Sequence, residues 1–359
     1  MKLPVLNTPS KLVSERLDRQ ISDTYKTDLE KQAYRVVGSH SAVKVCHWTK
    51  SMIKNEGGCY KFTFYGIRSH QCLQMTTSMF CASRCTFCWR GAKAPVAKTW
   101  YGPVDDPEEI IDGALEAQRL LLTGFGGNDK TNPTFGKEKD YVRHAALSLT
   151  GEPITYPKIN EILKAFHKRE ISTFLVTNAQ YPDQLAKIDY CTQLYLSIDA
   201  PNRELLAKID RPLFENHYER MLECLDILST RPYRTCIRLT AIHDLNDEDM
   251  QGYGDLIARG NPDFIEVKGY MYVGHSQTNL GRGNMPDISQ VEGFAEKLLP
   301  FIPGYEVIRS HIPSRGVLLM KKDLDKKCWI DFPRFFEMCE KEEEPVAAVY
   351  SAKRIQPNC

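Results

Sequence analysis

The chain has 359 residues, 42% of them hydrophobic, enough to bury one large core or two modest ones. Lys and Arg together number 47 against 46 for Asp and Glu, so no global field draws the chain to nucleic acid or anionic lipid, and any polyanion site has to be a local patch. The opening "MKLPVLNTPSKLVSERLDRQ" lacks an apolar run of signal-peptide length, and no later stretch approaches the roughly 18 uninterrupted apolar residues of a membrane span; the expectation is a soluble, cytoplasmic protein.

In chain order, residues 1–45 predict a helical N-terminal extension, because Leu17, Ile21 and Tyr25 recur four apart. Residues 46–102 are irregular and rich in Cys, aromatics and Gly, with one strand expected at "YKFTFYGI". "DDPEE" announces a helix from Asp106 to about Leu122, with Pro107 in its first turn and acidic residues beside the positive end of its dipole. A polar loop, "GFGGNDKTNPTFGKEKD", precedes the strand "HAALSLTG". Next come helix "PKINEILKAFHKRE", strand "ISTFLVTN", a short helix near "YPDQLAKI" and strand "TQLYLSID". Helices at 202–208 and 214–230, strand "TCIRLTAI", helix 247–260 and strand "DFIEVKGY" complete the alternation. Strands separated by crossover-length helices argue for a parallel sheet in an α/β fold. "LTGEP", "VTN", "SIDA" and "VKG" each follow an apolar strand, so their side chains should gather at one face, the face that carries chemistry in parallel barrels.

Twelve cysteines in a reducing compartment are not expected to form disulfides. Cys191, Cys224, Cys236, Cys328, Cys339 and Cys359 are scattered and read as small buried hydrophobes or surface thiols. Cys46, Cys59, Cys72, Cys81, Cys85 and Cys88 instead fall within 43 residues. The last three, in "CASRCTFCWR", have C-x3-C-x2-C spacing. A closed zinc site wants four ligands, and a two-cluster ferredoxin run has two-residue gaps and a fourth cysteine. Three thiolates at this spacing suit three corners of a 4Fe–4S cube whose fourth iron stays open.

The motif resembles the signature of the radical S-adenosylmethionine (SAM) superfamily, and Phe87 before the last cysteine fits the same pattern. The resemblance implies that the open iron chelates the amino and carboxylate groups of SAM, and that the reduced cluster cleaves it to a 5′-deoxyadenosyl radical. Gly151, Glu152 and Pro153 resemble the superfamily's Gly-Glu-Pro element, which binds the SAM amino group. Asn178, Ser197 and Asp199 are placed to meet the ribose or methionine moiety; Asn and Ser at strand ends also commonly cap helices. The implied fold is an incomplete parallel (β/α)6 TIM-type barrel over 46–300, with a C-terminal α/β extension and polar tail over 301–359.

Cys46, Cys59 and Cys72 stand thirteen and thirteen apart, compatible with three converging segments. They suit either zinc, with His47 or His70 as fourth ligand, or a second iron–sulfur cluster. "CHWTKSMIKNEGGCYKFTFYGIRSHQC", followed by "HAALSLTGEPITYP", "STFLVTNAQYP", "QLYLSIDA", "KIDRPLF" and "NPDFIEVKGYMYVG", is similar to the 4-demethylwyosine synthase family, from about Cys46 to about residue 335. That resemblance implies a carbon–carbon lyase of wybutosine biosynthesis. Cys81, Cys85 and Cys88 would ligate the SAM cluster, and Cys46, Cys59 and Cys72 an auxiliary 4Fe–4S cluster. The substrates would be pyruvate and tRNA-Phe carrying N1-methylguanosine just 3′ of the anticodon, at position 37. The radical would take hydrogen from the N1-methyl group, and the resulting carbon radical would add to pyruvate. Lys61 matches the lysine that engages pyruvate as a Schiff base, which needs a neutral amine and hence desolvation; Lys268 in "EVKGY" is the competing candidate.

"CWRGAKAPVAK", "HKRE", "RPYRTCIR", "VGHSQTNLGRGN" and "KKDLDKK" are local basic runs, each a solvated face or a phosphate contact. "WRGAKAPVAKTWYG" abuts the cluster loop and mixes Arg, Lys and Trp, as phosphate neutralisation and stacking on an unpaired base require. About 45 residues ahead of Cys46 are too few for the flavodoxin-like domain of eukaryotic members. A short, archaeal-type, monomeric form with an external ferredoxin or flavodoxin donor is therefore expected. The alternatives are another radical SAM enzyme with an auxiliary cluster and a different substrate, and a non-catalytic zinc-binding RNA-binding module.

Overall fold

The computed structural model describes residues 20–354 apart from Ala92, so Leu17 and Cys359 lie outside the described residues. Among the described residues of the N-terminal extension the helix is α1 (Asp23–Lys31), which starts where the Ser22 hydroxyl accepts from the Tyr25 N–H. "YRVVGSHSAVK" then turns back on itself as the antiparallel hairpin β1 (Tyr34–Val37) and β2 (Ser41–Lys44). Gly38 makes the turn at φ 57, and the Asp105 carboxylate accepts from the Ser39 N–H at 2.6 Å.

After α2 (His47–Ile53) the segment expected as a strand is a helix, α3 (Tyr60–Tyr65). The aromatic alternation suggested a period of two, but Cys59 stands in extended conformation at its start and Gly66, at φ 80, ends it with a left-handed cap. β3 (Cys72–Thr76) opens the parallel sheet, and α4 (Pro107–Leu121) follows with Asp106 as its N-cap, as predicted. The polar loop contains a short helix, α5 (Pro133–Glu138), capped by Asn132. Then come β4 (His144–Leu147), α6 (Ile159–Lys168), β5 (Ser172–Thr177), α7 (Pro182–Ala186), β6 (Gln193–Ser197), α8 (Arg203–Asp210), α9 (His217–Ser229), β7 (Thr235–Ala241), α10 (Met250–Gly260) and β8 (Phe264–Gly269). Beyond them lie α11 (Ile288–Leu298), β9 (Tyr305–His311), β10 (Gly316–Lys321), β11 (Trp329–Ile330), α12 (Phe332–Glu340), α13 (Ala347–Tyr350) and β12 (Ser351–Ala352).

The main sheet runs β1-β2-β3-β4-β5-β6-β7-β8-β10-β9. β3 to β8 are parallel to their neighbours, six strands in sequence order, which is the expected incomplete (β/α)6 barrel. The hairpin extends one edge and β10 with β9 the other, both antiparallel, so the expected boundaries at residues 45 and 300 fall inside one continuous sheet.

Side chains alternate across this sheet. One face carries Leu73, Ala145, Leu175, Leu194, Ile237 and Ile265, all fully buried in the main core. The register puts Phe174, Tyr195, Arg238, Glu266 and Lys268 on the other face, which is the lumen. α3 plugs the lumen at the end where the strands begin: the Tyr65 hydroxyl donates to Glu266 Oε1 at 2.7 Å, and the Lys61 amine lies 4.9 Å from the Phe174 and Tyr195 ring centres.

Arg234, fully buried just ahead of β7, seals the same end. It donates to Gln193 Oε1 at 3.1 Å, to the Cys328 carbonyl at 2.7 Å and to the Ser351 hydroxyl, and it stacks over Phe264. The C-terminal segment is thus tied to the barrel floor by one guanidinium. Arg234→Met leaves these buried acceptors without a donor and should destabilise the metal-free protein by about 3 kcal/mol or more. An unchanged midpoint in urea unfolding would show that the C-terminal segment does not depend on this contact.

Candidate active site

The three motif cysteines sit on the loop after β3, at the end of the barrel where the parallel strands finish. Backbone bonds stitch this loop to the end of α8, with Arg84 N–H donating to the Asp210 carbonyl at 3.0 Å and Thr86 N–H to that of Ile209 at 2.7 Å. Cys85 and Cys88 line a cavity of about 90 Å3 with Arg84, Arg90, Arg211, His275 and Asn279. A larger groove, about 1310 Å3, lies outside the barrel against α6 and α12 and holds none of the predicted site residues. Phe87 packs on the core beneath the loop.

Burial pushes the Cys81 thiol up to about 11 against the pull of Arg90, and burial with Asp210 pushes Cys85 up as well. Such thiols stay protonated until a metal displaces the proton. Arg90 turns inward, donating to the Met79 and Ser83 carbonyls at 3.4 and 3.2 Å, so its charge faces the cysteines and not RNA as its segment had suggested. Trp89 beside it is 42% exposed. Lys93 pairs with Asp28 at 2.7 Å, and Trp100 packs against His40.

The predicted strand-end residues converge on the same mouth. Gly151 stands at φ 65, where an added Cβ would lie 1.9 Å from the Ser78 carbonyl oxygen, so only glycine fits. Glu152 is buried; its Oε2 accepts from the Asn178 N–H at 3.1 Å, while its Oε1 has no partner among the described residues. Asn178 reaches further, its amide donating to Cys81 Sγ at 3.3 Å, so it links Glu152 to a cluster cysteine. Pro153 starts a helical turn against Thr77, and Ser197 faces the lumen at the end of β6. Asp199 is buried with Oδ1 unpartnered, and burial pushes its carboxyl up to about 6. Asp210 had been quoted within "KIDRPLF" without a role. Burial and Asp199 push it up too, and Cys85 hydrogen-bonds to it.

The second cysteine group gathers at the opposite end of the lumen. Cys46 precedes α2, Cys59 precedes α3 and Cys72 begins β3. Burial raises the Cys46 thiol, and Cys59 adds to the rise; Cys72 moves up for the same two causes, so the three lie within electrostatic reach of one another. His47 contacts the Ser51 hydroxyl, and His70 is held by Glu138 at 2.8 Å and stacked on Phe135, so neither proposed fourth zinc ligand is turned to this group. Among the described residues no three His, Cys, Asp or Glu side chains close on a single ion, the spacing a zinc site needs. A four-iron cluster takes each thiolate on a different corner iron and so needs no such convergence on one ion.

Lys61 and Lys268 both enter the lumen and are buried. Lys268 donates to the Ser314 carbonyl at 2.6 Å and lies 4.2 Å from the Tyr60 ring centre; burial, then Arg238, bring its amine down to about 7. The Lys61 amine meets only the rings of Phe174 and Tyr195 in the contacts of the described residues. Two arginines counted in the basic run "RPYRTCIR", Arg234 and Arg238, belong to the barrel interior and not to an outer RNA face.

Burial pushes the Glu152 carboxyl up to about 7, against the Thr177 hydroxyl and the Asn178 N–H. A carboxyl raised above its ordinary value favours folding below that ordinary value, and the favour is lost as pH rises toward 7. Glu152→Gln should therefore stabilise the metal-free protein at pH 8 by up to about 3 kcal/mol, a gain that shrinks as pH falls toward 5. Thermal unfolding across that range checks it; a pH-independent difference would place the carboxyl in water.

A family described as the radical SAM superfamily matches residues 75–257, and one described as wyosine base formation matches residues 259–321. The S-adenosyl-L-methionine-dependent tRNA 4-demethylwyosine synthase of Oryza sativa subsp. japonica is 45% identical over 325 residues, 89% of this chain and 50% of that protein. That of Schizosaccharomyces pombe is 45% identical over 336 residues, 90% of this chain and 49% of that protein. The chain thus spans about half the length of these curated relatives. A solved structure of TYW1 with a lysine-pyruvate adduct bound is 33% identical with a TM-score of 0.77, covering 85% of this chain and 98% of that one. Archaeal TYW1 is 31% identical with a TM-score of 0.69, covering 84% and 97%. The chain belongs to the radical SAM superfamily and, within it, to the tRNA 4-demethylwyosine synthase family.

Proposed function

We propose that the chain condenses pyruvate with N1-methylguanosine of tRNA-Phe to give tricyclic 4-demethylwyosine. The observation that carries this is the Lys61 amine, buried in the lumen between two cysteine groups at opposite ends. A lysine-pyruvate adduct is bound in the TYW1 structure to which this chain is similar. Cys81, Cys85 and Cys88 would hold a 4Fe–4S cluster that, with SAM on its open iron and an electron from a ferredoxin or flavodoxin, supplies a 5′-deoxyadenosyl radical. Cys46, Cys59 and Cys72 would hold an auxiliary 4Fe–4S cluster.

The remaining work falls to the chain's own groups. The unpartnered oxygens of Glu152 and Asp199 at the mouth would accept from the ammonium and hydroxyl groups of SAM, and the ammonium would offset the burial that raises the Glu152 carboxyl. Lys61 adds through Nζ to the ketone carbon of pyruvate, and loss of water leaves an imine. Lys268 has its amine directed to the Ser314 carbonyl, which favours Lys61 as the nucleophile. Trp89, Met271 and Val273, each more than 40% exposed at the rim, offer apolar surface on which a base extruded from the anticodon stem-loop can stack. No helix among the described residues is long and apolar enough to cross a membrane.

The decisive assay is mass spectrometry of tRNA-Phe nucleosides after incubation with SAM, pyruvate and reductant; no tricyclic base despite SAM cleavage would refute the assignment. Anaerobic iron and sulfide analysis should give about eight irons per chain, whereas zinc without iron favours the binding-module alternative. Cys85→Ala should abolish reductive SAM cleavage, and Cys59→Ala should keep some cleavage but make no product. Borohydride with labelled pyruvate should mark Lys61; label on Lys268 reverses the assignment of the two lysines.

A further inference from the structure

Two arginines four residues apart, Arg234 just ahead of β7 and Arg238 within it, face the lumen with opposite surroundings. Arg234 donates to three acceptors, and all belong to the protein. The Arg238 side chain has no hydrogen bond and no ion pair within 4 Å among the described residues, its backbone carbonyl alone accepting from the Ile198 N–H at 2.9 Å outside the strand ladder. Its neighbours in the register are Ser197 on β6 and Glu266 on β8. Glu266 uses one oxygen to accept from Tyr65, and its other has no partner, so it does not close on the guanidinium. Burial works against the charge of Arg238, yet Tyr60, Glu266, Asp199 and Tyr195 together hold it protonated.

The lumen around Arg238 contains the amines of Lys61 and Lys268 and, facing them, the carboxyl groups of Glu266 and Asp199. A guanidinium with five donors, half-buried in the lumen and without a side-chain partner among the described residues, is an incomplete site for an anion with two coplanar oxygens. Arg238 and Lys61 both act on Lys268, which places all three around one space.

Taking the lysine adduct of the proposed function as given, we infer that Arg238 binds the carboxylate of the 2-oxo acid that Lys61 engages, and so selects an anionic substrate over a neutral ketone. The guanidinium orients the acid so that its ketone carbon faces the Lys61 amine. Arg238 is then a substrate-binding residue that sets specificity at the imine-forming step.

The methionine carboxylate of SAM has the same chemistry, and the test separates the two. The reconstituted full chain is incubated with pyruvate or with methyl pyruvate, which keeps the ketone but lacks the negative charge, and the imine is trapped with borohydride. Wild type should trap pyruvate at far lower concentration than the ester. R238Q should raise the half-saturating pyruvate concentration about tenfold to a hundredfold, the loss of a charge-assisted pair, and should no longer discriminate against the ester. R238K, which retains the charge and the fold, should show a smaller shift in the same direction. Half-saturation by SAM in reductive cleavage is measured on the same samples; a shift in SAM that exceeds the shift in pyruvate assigns Arg238 to the methionine carboxylate and overturns the inference. Unchanged pyruvate dependence in both variants also overturns it. Wild type that traps no pyruvate removes the proposed function itself, a result seen before any Arg238 variant is compared.

Discussion

The structure depends on one electrostatic constraint: the inner face of the six parallel strands is polar and charged, and little water reaches it to screen those charges. The outer face takes the hydrophobic effect, with leucines and isoleucines buried under helices, and leaves the inner face free to carry chemistry. Every ion placed there must find a counter-charge or a ligand. Arg90 stands against the cysteines at the mouth, Lys61 against those near the floor, and Arg238 between Asp199 and Glu266. The positions of the cysteine groups and of the lysines follow from that balance as much as from the fold.

β3 connects the two cysteine groups, since Cys72 opens the strand and Cys81 lies five residues past its end. At about 3.3 Å per residue, the five residues of β3 span on the order of 13 Å between the floor group and the point where the cluster loop departs. α3 fixes the lower limit of the lumen. A helix there, unlike a strand, sends Lys61 and Tyr65, four apart, into the lumen together.

The sequence made β4 to β8 legible because each is a short apolar run ending in a polar signal; β3 lies in the stretch read as irregular, whose one strand was expected at "YKFTFYGI" instead. The mouth was legible for the same reason, since "LTGEP", "VTN" and "SIDA" mark strand ends and strand ends of a parallel barrel share a face. Three features were not. "YKFTFYGI" alternates aromatic and polar residues like a strand, and only the left-handed Gly66 and the packing of Phe64 and Tyr65 make it a helix. The hairpin after α1 depends on pairing with β3, a long-range contact that local spacing does not encode. The destinations of Arg90, Arg234 and Arg238 were misplaced because basic residues read as surface until the strand register turns them inward.

Arg234, just ahead of β7, and Arg238, within it, show how position along the barrel axis decides what a residue does. Four residues separate them, on the order of 13 Å of strand. At the floor, the C-terminal segment supplies carbonyl and hydroxyl acceptors to Arg234. Toward the mouth, Glu266 Oε2 beside Arg238, Asp199 Oδ1, Asp210 Oδ1 and Glu152 Oε1 have no partner among the described residues. Buried polar groups without partners are costly, and ligand atoms would satisfy the oxygens that line the lumen. On the proposed function a ligand would enter from the cysteine mouth inward, past Glu152 and Asp199, toward Lys61 and Arg238.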